Sequence, residues 1–296
     1  MAVITRAETR HIRPSGRTAR QAKFFAKAFV TYLGLGILGL ITAVPFVWML
    51  ISSVKAPGTL FIYPPDWTPN PVRLQNYVEL TQKMPFVTFF ANSTKIAILT
   101  TIGTLLSCSL AAYAFARFEF PGKGFIFAVT LSCLMVPYQV VLIPIFAIFN
   151  KLGLMDKQIV LWGPAFTGSA FGVFLLRQFF MTLPSELEDA ALIDGASRFS
   201  IYWRIFLPLS QPALTTLAIF TFMGSWNDLL GPVLYLHTKS KMTLTVGIAM
   251  LSHQWGATPW HLIMAGAVVS VVPILAVYIA GQKYFVQGIV MTGLKM

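Results

Sequence analysis

Few residues of this chain combine type and spacing in a way that could make or break a covalent bond. The four histidines, His11, His237, His253 and His261, share no ligand-like spacing and read as surface or interface residues. Gly122-Lys123 lacks the earlier glycine and the following Ser/Thr of a phosphate-binding loop, and neither His-Glu-x-x-His nor Gly-x-Ser-x-Gly occurs. Cys108 and Cys133 sit in long apolar runs, which suits two small buried hydrophobes better than a disulfide. The expectation is a chain that is not an enzyme and binds no metal or cofactor of its own. Two groups of residues suit recognition instead. One is the acidic run Ser185-Glu186-Leu187-Glu188-Asp189. The other is Trp226-Asn227-Asp228, with Tyr138 and Gln139 beside Pro137, where polar groups and aromatic faces stand in apolar surroundings.

Residues 183–197 read as a short helix with both ends marked. Ser185 suits the N-cap, and Glu188, three residues on, would complete a capping box. Glu186, Glu188 and Asp189 place negative charge in the first turn, where the helix dipole favours it. Gly195 falls where a left-handed C-cap residue belongs. A helix of about nine residues is too short to be stable alone in water. Its Leu187, Ala190 and Ala191 face is small enough to enter a cleft. A docking helix and a plain surface loop are both open on this reading. Next, Phe199, Tyr202, Trp203 and Phe206 fall at i, i+3, i+4 and i+7, a single helical stripe flanked by Arg198 and Arg204. Pro208 and Pro212 follow.

The elements that must position these residues are set by composition. Of 296 residues, 56% are hydrophobic and 11% charged, against about 25% charged in a soluble domain. That excludes an ordinary water-soluble enzyme and a disordered chain. Six apolar runs, 28–52, 88–116, 124–149, 158–180, 212–234 and 260–282, each approach or exceed the roughly 20 residues that cross a bilayer as a helix. They are continuous rather than alternating, which argues against a β-barrel. The predicted fold is an all-α polytopic membrane protein with six transmembrane helices. Pro45, Pro137, Pro144, Pro164 and Pro273 lie within the runs, where neighbouring helices or a cavity can satisfy freed backbone groups. Gly34, Gly36, Gly39, Gly168, Ser169, Gly172, Ala265 and Ala267 allow close helix packing.

The net charge of +12 follows topology. Arg6, Arg10, Arg13, Arg17, Arg20, Lys23 and Lys27 precede the first run against Glu8 alone, which makes that end cytoplasmic by the positive-inside rule. Six spans return the C-terminus to the same side. This accounts for the basic excess without nucleic acid. The first run is longer than the apolar region of about 7–15 residues in a signal peptide, so it reads as an uncleaved span. Lys95 and Asp228 lie near predicted outer ends and Arg177 near an inner end, and no span centre carries a carboxylate. A proton- or sodium-driven mechanism is disfavoured on that ground.

At residue level, Glu188-Asp-Ala-Ala-Leu-Ile-Asp-Gly-Ala-Ser197 followed by Ile205-Phe-Leu-Pro208 resembles the EAA loop of binding-protein-dependent ABC importer permeases, with Asp189 in place of the motif's glutamate. Asn92-Ser93, Ala111-Ala-Tyr-Ala-Phe-Ala-Arg117, Trp226-Asn-Asp228, Thr243-Leu-Thr-Val-Gly247 and Gln282-Lys-Tyr-Phe-Val-Gln-Gly288 resemble the sugar-uptake branch, the maltose- and glycerol-phosphate-type permeases. The resemblance runs from about residue 28 to the end, where Gly293-Leu-Lys-Met296 departs from the family's Val-Lys-Gly ending. It implies the type I importer fold and a permease subunit of an ATP-driven sugar importer in the cytoplasmic membrane. It also implies that Glu188, Asp189, Ala190, Ala191, Asp194, Gly195 and Pro208 couple to a cytoplasmic ATPase. ATP and Mg would then reside on that partner. The other implied partners are a homologous second permease, a second ATPase copy and an extracytoplasmic sugar-binding protein, with lipid around the spans.

The implied organisation is a basic tail (1–27), a first span (28–52), an outer loop (53–87), a permease core (88–282) holding the coupling loop (184–208), and a C-terminal tail (283–296). Tyr63, Trp67 and Tyr77 in the proline-rich outer loop, and Trp255 in a later one, suit either the lipid interface or a docked binding protein. Sugars are held by aromatic faces and hydrogen-bonding groups. Asn227 is therefore the first candidate for the translocation path, with Trp226, Asp228, Tyr138 and Gln139 beside it. An interhelical hydrogen bond is the other use open to each. Importers of glycerol phosphate, amino acids or polyamines, and more distantly a secondary transporter or a membrane enzyme, are the alternatives.

Overall fold

A computed structural model of the chain describes residues 17–252 and 258–293, with side chains over 24–252 and 258–283. The backbone divides into two units, Met1–Leu50 and Ile51–Met296. The first unit is one apolar helix, α1 (Arg17–Ser53, whose last residues begin the second unit), with its apolar window unburied throughout. Beyond its basic first turns the helix is a long apolar run, which suits lipid. Pro45 lies inside it, and the Thr42 hydroxyl donates to the Leu38 and Gly39 carbonyls one turn earlier.

The second unit begins with α2 (Gln75–Lys83) and the long α3 (Phe86–Arg117). At 1.5 Å per residue α3 extends about 48 Å, more than the ~30 Å hydrocarbon core. Next come α4 (Lys123–Ser132), α5 (Tyr138–Lys151), α6 (Ile159–Trp162) and α7 (Ala170–Phe180). The short α8 (Glu186–Ile193), α9 (Arg198–Ile201) and α10 (Leu207–Leu209) lead into α11 (Gln211–Trp226). The chain continues as α12 (Leu230–Tyr235), α13 (Leu244–Leu251) and α14 (Trp260–Gly293). No strand occurs among the described residues.

Four segments are long and apolar enough to cross a membrane: Phe24–Ser53, Phe86–Arg117, Ile159–Phe180 and Trp260–Lys283. Two bent pairs raise the number to six. The run expected as one span over 124–149 is broken, because Lys123–Met135 and Tyr138–Lys151 meet at 102°. Pro137 has no amide to donate and pushes Val136 into extended conformation, which ends one helix and starts the next. Arg198–Leu209 and Gln211–Trp226 meet at 77° across Ser210, between Pro208 and Pro212. The fourth span is interrupted by a 3₁₀ stretch, Gly163–Thr167, and by Gly168 at φ +94.

The expected fifth span over 212–234 does not run through, since α11 ends at Trp226 and a separate α12 starts at Leu230. The last span, expected over 260–282, agrees with the apolar segment Trp260–Lys283, and the helix that carries it, α14, continues to Gly293. Of the small residues expected in tight packing, Gly172 is pressed against Cys108, whereas Gly34, Gly36 and Gly39 have nothing within 4 Å of a built Cβ. Cys108 is buried as expected, but Cys133 is exposed. His261 is buried, not a surface residue, and lies 3.9 Å from Glu79 Oε2. His11, His253, Trp255 and the basic residues up to Arg13 lie outside the described residues.

Two apolar cores occupy opposite ends of α3. One holds Cys108, Ala112 and Tyr113 with Val173, Leu176, Phe180, Tyr202 and Phe206. The other holds Phe89 and Ala97 with Leu80, Phe222, Trp226, Leu244 and Leu262. Each core supports one of the two sites described next.

Candidate functional site

The first site is built around α8. Its C-terminus is closed by a complete Schellman arrangement: Gly195 at φ +80, with Gly195 N–H donating to Leu192 O at 3.0 Å and Ala196 N–H to Ala191 O at 2.9 Å. Its N-terminus differs from expectation. Ser185 has helical dihedrals and makes no side-chain cap, so the expected capping box is absent. The Glu188 side chain is instead drawn inward, to Arg198 Nη1 at 2.6 Å and Arg117 Nε at 3.8 Å. Two cations outcompete a backbone amide for that carboxylate.

Arg117, the last residue of α3, also donates through Nη2 to Phe180 O (2.8 Å) and Leu183 O (2.6 Å). Its guanidinium lies 4.7 Å from the Phe206 ring centroid, and that of Arg198 lies 5.2 Å from the Phe118 ring. One cluster thus binds α8 to the ends of α3, α7 and α9.

Glu188 is consequently buried. Asp189, Ala190, Asp194, Gly195 and Pro208 are exposed. Ala191 packs against the core, so the outward apolar face is Leu187, Ala190 and Ile193, the last 86% exposed. The expected four-residue aromatic stripe also splits. Tyr202 and Phe206 enter the core, while Phe199 and Trp203 face out, across a π-helical turn at Tyr202–Phe206. Tyr202 Oη and Ser109 Oγ share a hydrogen bond of 2.7 Å in that core.

The second site lies at the opposite end of α3, where three motif segments meet. Asn92 Nδ2 donates to Ser240 O and Met242 O, both at 2.9 Å. Leu244 N–H donates to Ser93 Oγ at 2.9 Å, and Thr245 Oγ1 to Trp226 O at 3.0 Å. A Cβ on Gly247 would meet the Phe89 ring at 2.3 Å, so only glycine fits there.

Trp226 is a core residue and not a lining one. It is 2% exposed, stacked with Phe222 and edge-on to Phe90, and its indole N–H donates to Ser270 O at 3.1 Å. Asp228 turns the other way and accepts the Gly231 N–H at 3.2 Å. This helps to start α12 and explains the break in the expected span. Asp228, Ser225, Thr100 and Thr243, with Ile96 and Leu161, line a cavity of about 270 Å³. Asn227, Tyr138 and Gln139 are exposed and do not line that cavity.

One residue absent from the sequence reading organises the loops beside this site. Asp156, at φ 60, accepts the His237 and Thr238 amides at 2.9 Å, the Thr238 hydroxyl at 2.5 Å and Lys241 Nζ at 2.7 Å. Its own N–H donates to Tyr235 O at 2.9 Å. Lys241 first, then Thr238 and His237, hold its carboxyl well below the usual carboxylate range. Asp66 is lowered as well, by the Thr68 amide and hydroxyl. The one sequence signal was Asp's tolerance of left-handed backbone.

Membrane-crossing helices around a polar cavity, with a short capped helix presented outward, define a membrane-embedded transport subunit. Residues 103–291 match the family described as binding-protein-dependent transport system inner membrane component, and the chain belongs to that family of ABC importer permeases. It is 32% identical over 270 residues to the arabinooligosaccharides transport system permease protein AraQ of Halalkalibacterium halodurans, covering 89% of this chain and 95% of the relative. It is likewise 32% identical over 277 residues to the trehalose/maltose transport system permease protein MalG of Thermococcus litoralis, covering 91% and 97%. A bacterial ABC transporter involved in import of the acidic polysaccharide alginate shares the fold, with TM-score 0.76 at 24% identity over 90% of this chain and 98% of that one.

Proposed function

We propose that this chain forms half of the translocation pathway of an ATP-driven sugar importer, with both termini cytoplasmic. It pairs with a homologous permease, two copies of a cytoplasmic ATPase that hold ATP and Mg, and an extracytoplasmic sugar-binding protein. The observation that carries the reading is α8. It is closed at its C-terminus by Gly195, clamped from behind through Glu188, and open on its Leu187, Ala190 and Ile193 face. Such a face suits insertion into a cleft, with Asp189 and Asp194 at its rim. Displacing α8 would drag α3 and α7 through Arg117, and α11 across the bend at Ser210. The sugar assignment draws on relatives named for oligosaccharide transport. The organisation into basic tail, first span, outer loop, core and C-terminal tail belongs to the same proposal.

The test is purification of the complex through a tag on this chain, followed by mass spectrometry of the ligand carried by the co-purifying binding protein. A carbohydrate is expected. An amino acid or polyamine would overturn the sugar assignment, and uptake that persists without any ATPase would overturn the importer reading. Asp189→Ala is expected to leave ATP hydrolysis in place and abolish uptake.

A further inference from the structure

We propose that the helical segment Arg198–Leu209 lies in the cytoplasmic surface of the bilayer, with Phe199 and Trp203 seated at headgroup depth and Arg204 holding the phosphate of an anionic phospholipid. This rests on the topology proposed above, which puts α8 on the cytoplasmic side, and adds a lipid site to it.

The orientation follows from α11. That helix runs beside α3, with Ala213 and Leu217 in the core of Cys108 and Tyr113, and Phe222 and Trp226 in the core of Phe89 and Ala97. The segment before it, Arg198–Leu209, meets it at 77°. A segment almost perpendicular to a helix that follows a membrane span runs nearly in the plane of the membrane.

The depth follows from α3. Tyr113 Oη donates to Arg198 O at 3.4 Å, and its ring lies 5.4 Å from that of Tyr202 and 5.0 Å from that of Phe206. The Arg117 guanidinium lies 4.7 Å from the same Phe206 ring. Tyr113 and Arg117 form the last turn of the apolar segment Phe86–Arg117, about 6 Å apart along its axis. The in-plane segment is therefore level with the end of a span, where hydrocarbon gives way to headgroups.

The side chains suit that level. Tyr202 and Phe206 are taken up by the core, which leaves Phe199 and Trp203 66% and 54% exposed. Tryptophan is enriched where a span meets the headgroups, and an in-plane helix binds there through aromatic residues on one side and basic ones on another. The neighbouring arginines are committed elsewhere. Arg117 and Arg198 face Glu188, and Arg177 donates to Phe115 O and lies 4.2 Å from the Phe127 ring centroid. Arg204 is exposed and has no hydrogen bond or ion pair among the described residues. A guanidinium offers five donors, and phosphate is the acceptor that headgroups supply. Residues 198–209 include no carboxylate to repel it.

The assembled importer in lipid nanodiscs tests this. In a Cys133→Ser background, which removes the exposed thiol and leaves Cys108 buried, Trp203→Cys carries a bimane fluorophore. The quenchers are phosphatidylglycerol and phosphatidylcholine, each with a nitroxide near the glycerol end of one acyl chain, and aqueous iodide. Both lipids are expected to quench and iodide to have little effect, with or without the ATPase. Titration should show phosphatidylglycerol preferred about fivefold. Arg204→Gln should remove the preference and Arg204→Lys should keep it. Where Trp203→Cys does not assemble, Phe199→Cys carries the probe.

The lipid site is overturned if iodide quenches and the lipids do not, if the two lipids quench alike in the wild-type Arg204 background, or if Arg204→Gln keeps the preference. Iodide quenching that appears only when the ATPase is removed would assign the face to the ATPase and also overturn it. The topology is read separately with Glu119→Cys, 89% exposed just beyond α3, and a thiol reagent that cannot cross membranes. Labelling of inverted vesicles alone is expected. Labelling of right-side-out vesicles alone would overturn the topology, whereas loss of lipid quenching with the expected labelling would overturn the lipid site alone.

Discussion

The Glu188 carboxylate lies 2.6 Å from the Arg198 guanidinium and is almost wholly buried, although both residues flank the exposed turn that closes α8. A short helix acquires rigidity from this pair because it cannot obtain it from its own length. The carboxylate also reaches toward Arg117 at the end of α3, so the clamp spans elements far apart in the chain.

Glu188→Gln should therefore loosen residues 186–201. Removing one partner of a buried ion pair costs about 3–5 kcal/mol. The lower end applies here, because Arg198 keeps 51% of its side chain exposed and can return to water. Hydrogen exchange of the α8 and α9 amides is the measurement. Unchanged protection would mean that the pair contributes nothing to α8.

Gly195→Ala isolates backbone strain. Nothing lies within 4 Å of a Cβ built there, so the substitution meets no steric obstacle beyond its φ of +80. The left-handed conformation costs a non-glycine residue about 1–2 kcal/mol. Gly195→Asn should cost less, since Asn tolerates that region. Exchange rates of the Gly195 and Ala196 amides should rank glycine, asparagine, alanine from slowest to fastest.

Asp156 predicts a pH dependence with a definite sign. Its carboxyl is lowered in the folded chain relative to about 3.9 in an unfolded one. A depressed acid stabilises the fold above the unfolded value, and that contribution fades as pH falls through the folded value. The thermal stability difference between wild type and Asp156→Asn should stay constant from about pH 8 to 5 and shrink only in stronger acid. Disappearance of the difference near neutrality would contradict the assignment.

Gly247→Ala should be destabilising by about 1–3 kcal/mol, as overpacking of a filled core is. The added methyl would sit 2.3 Å from the Phe89 ring and 3.1 Å from Met84 Sδ. Gly36→Ala is the matched control, with nothing within 4 Å, and should be tolerated. Detergent-solubilised melting temperatures separate the two.

The sequence by itself determined the properties that depend on near neighbours or on the solvent. Long uncharged runs had to become helices, because lipid offers no partner to a bare backbone amide. Gly195 had to end α8, because few other residues adopt φ +80 at low cost. The EAA-like loop and the motifs at Asn92, Trp226 and Thr243 were legible as residues, though not as a meeting place.

Tertiary structure alone decided where those residues point. Trp226 and Asp228 are two positions apart, yet one is locked in the core and the other faces a cavity, because α11 stops between them. Glu188 turned from an expected cap to Arg198 and Arg117, which no local spacing could reveal. Asp156 joined two loops with no motif to mark it. The physical reason is shared: helices that are apolar on every face carry no periodic signal of which face meets which neighbour. Contacts between distant segments then follow from packing and from the buried charges and hydroxyls that must find partners within it.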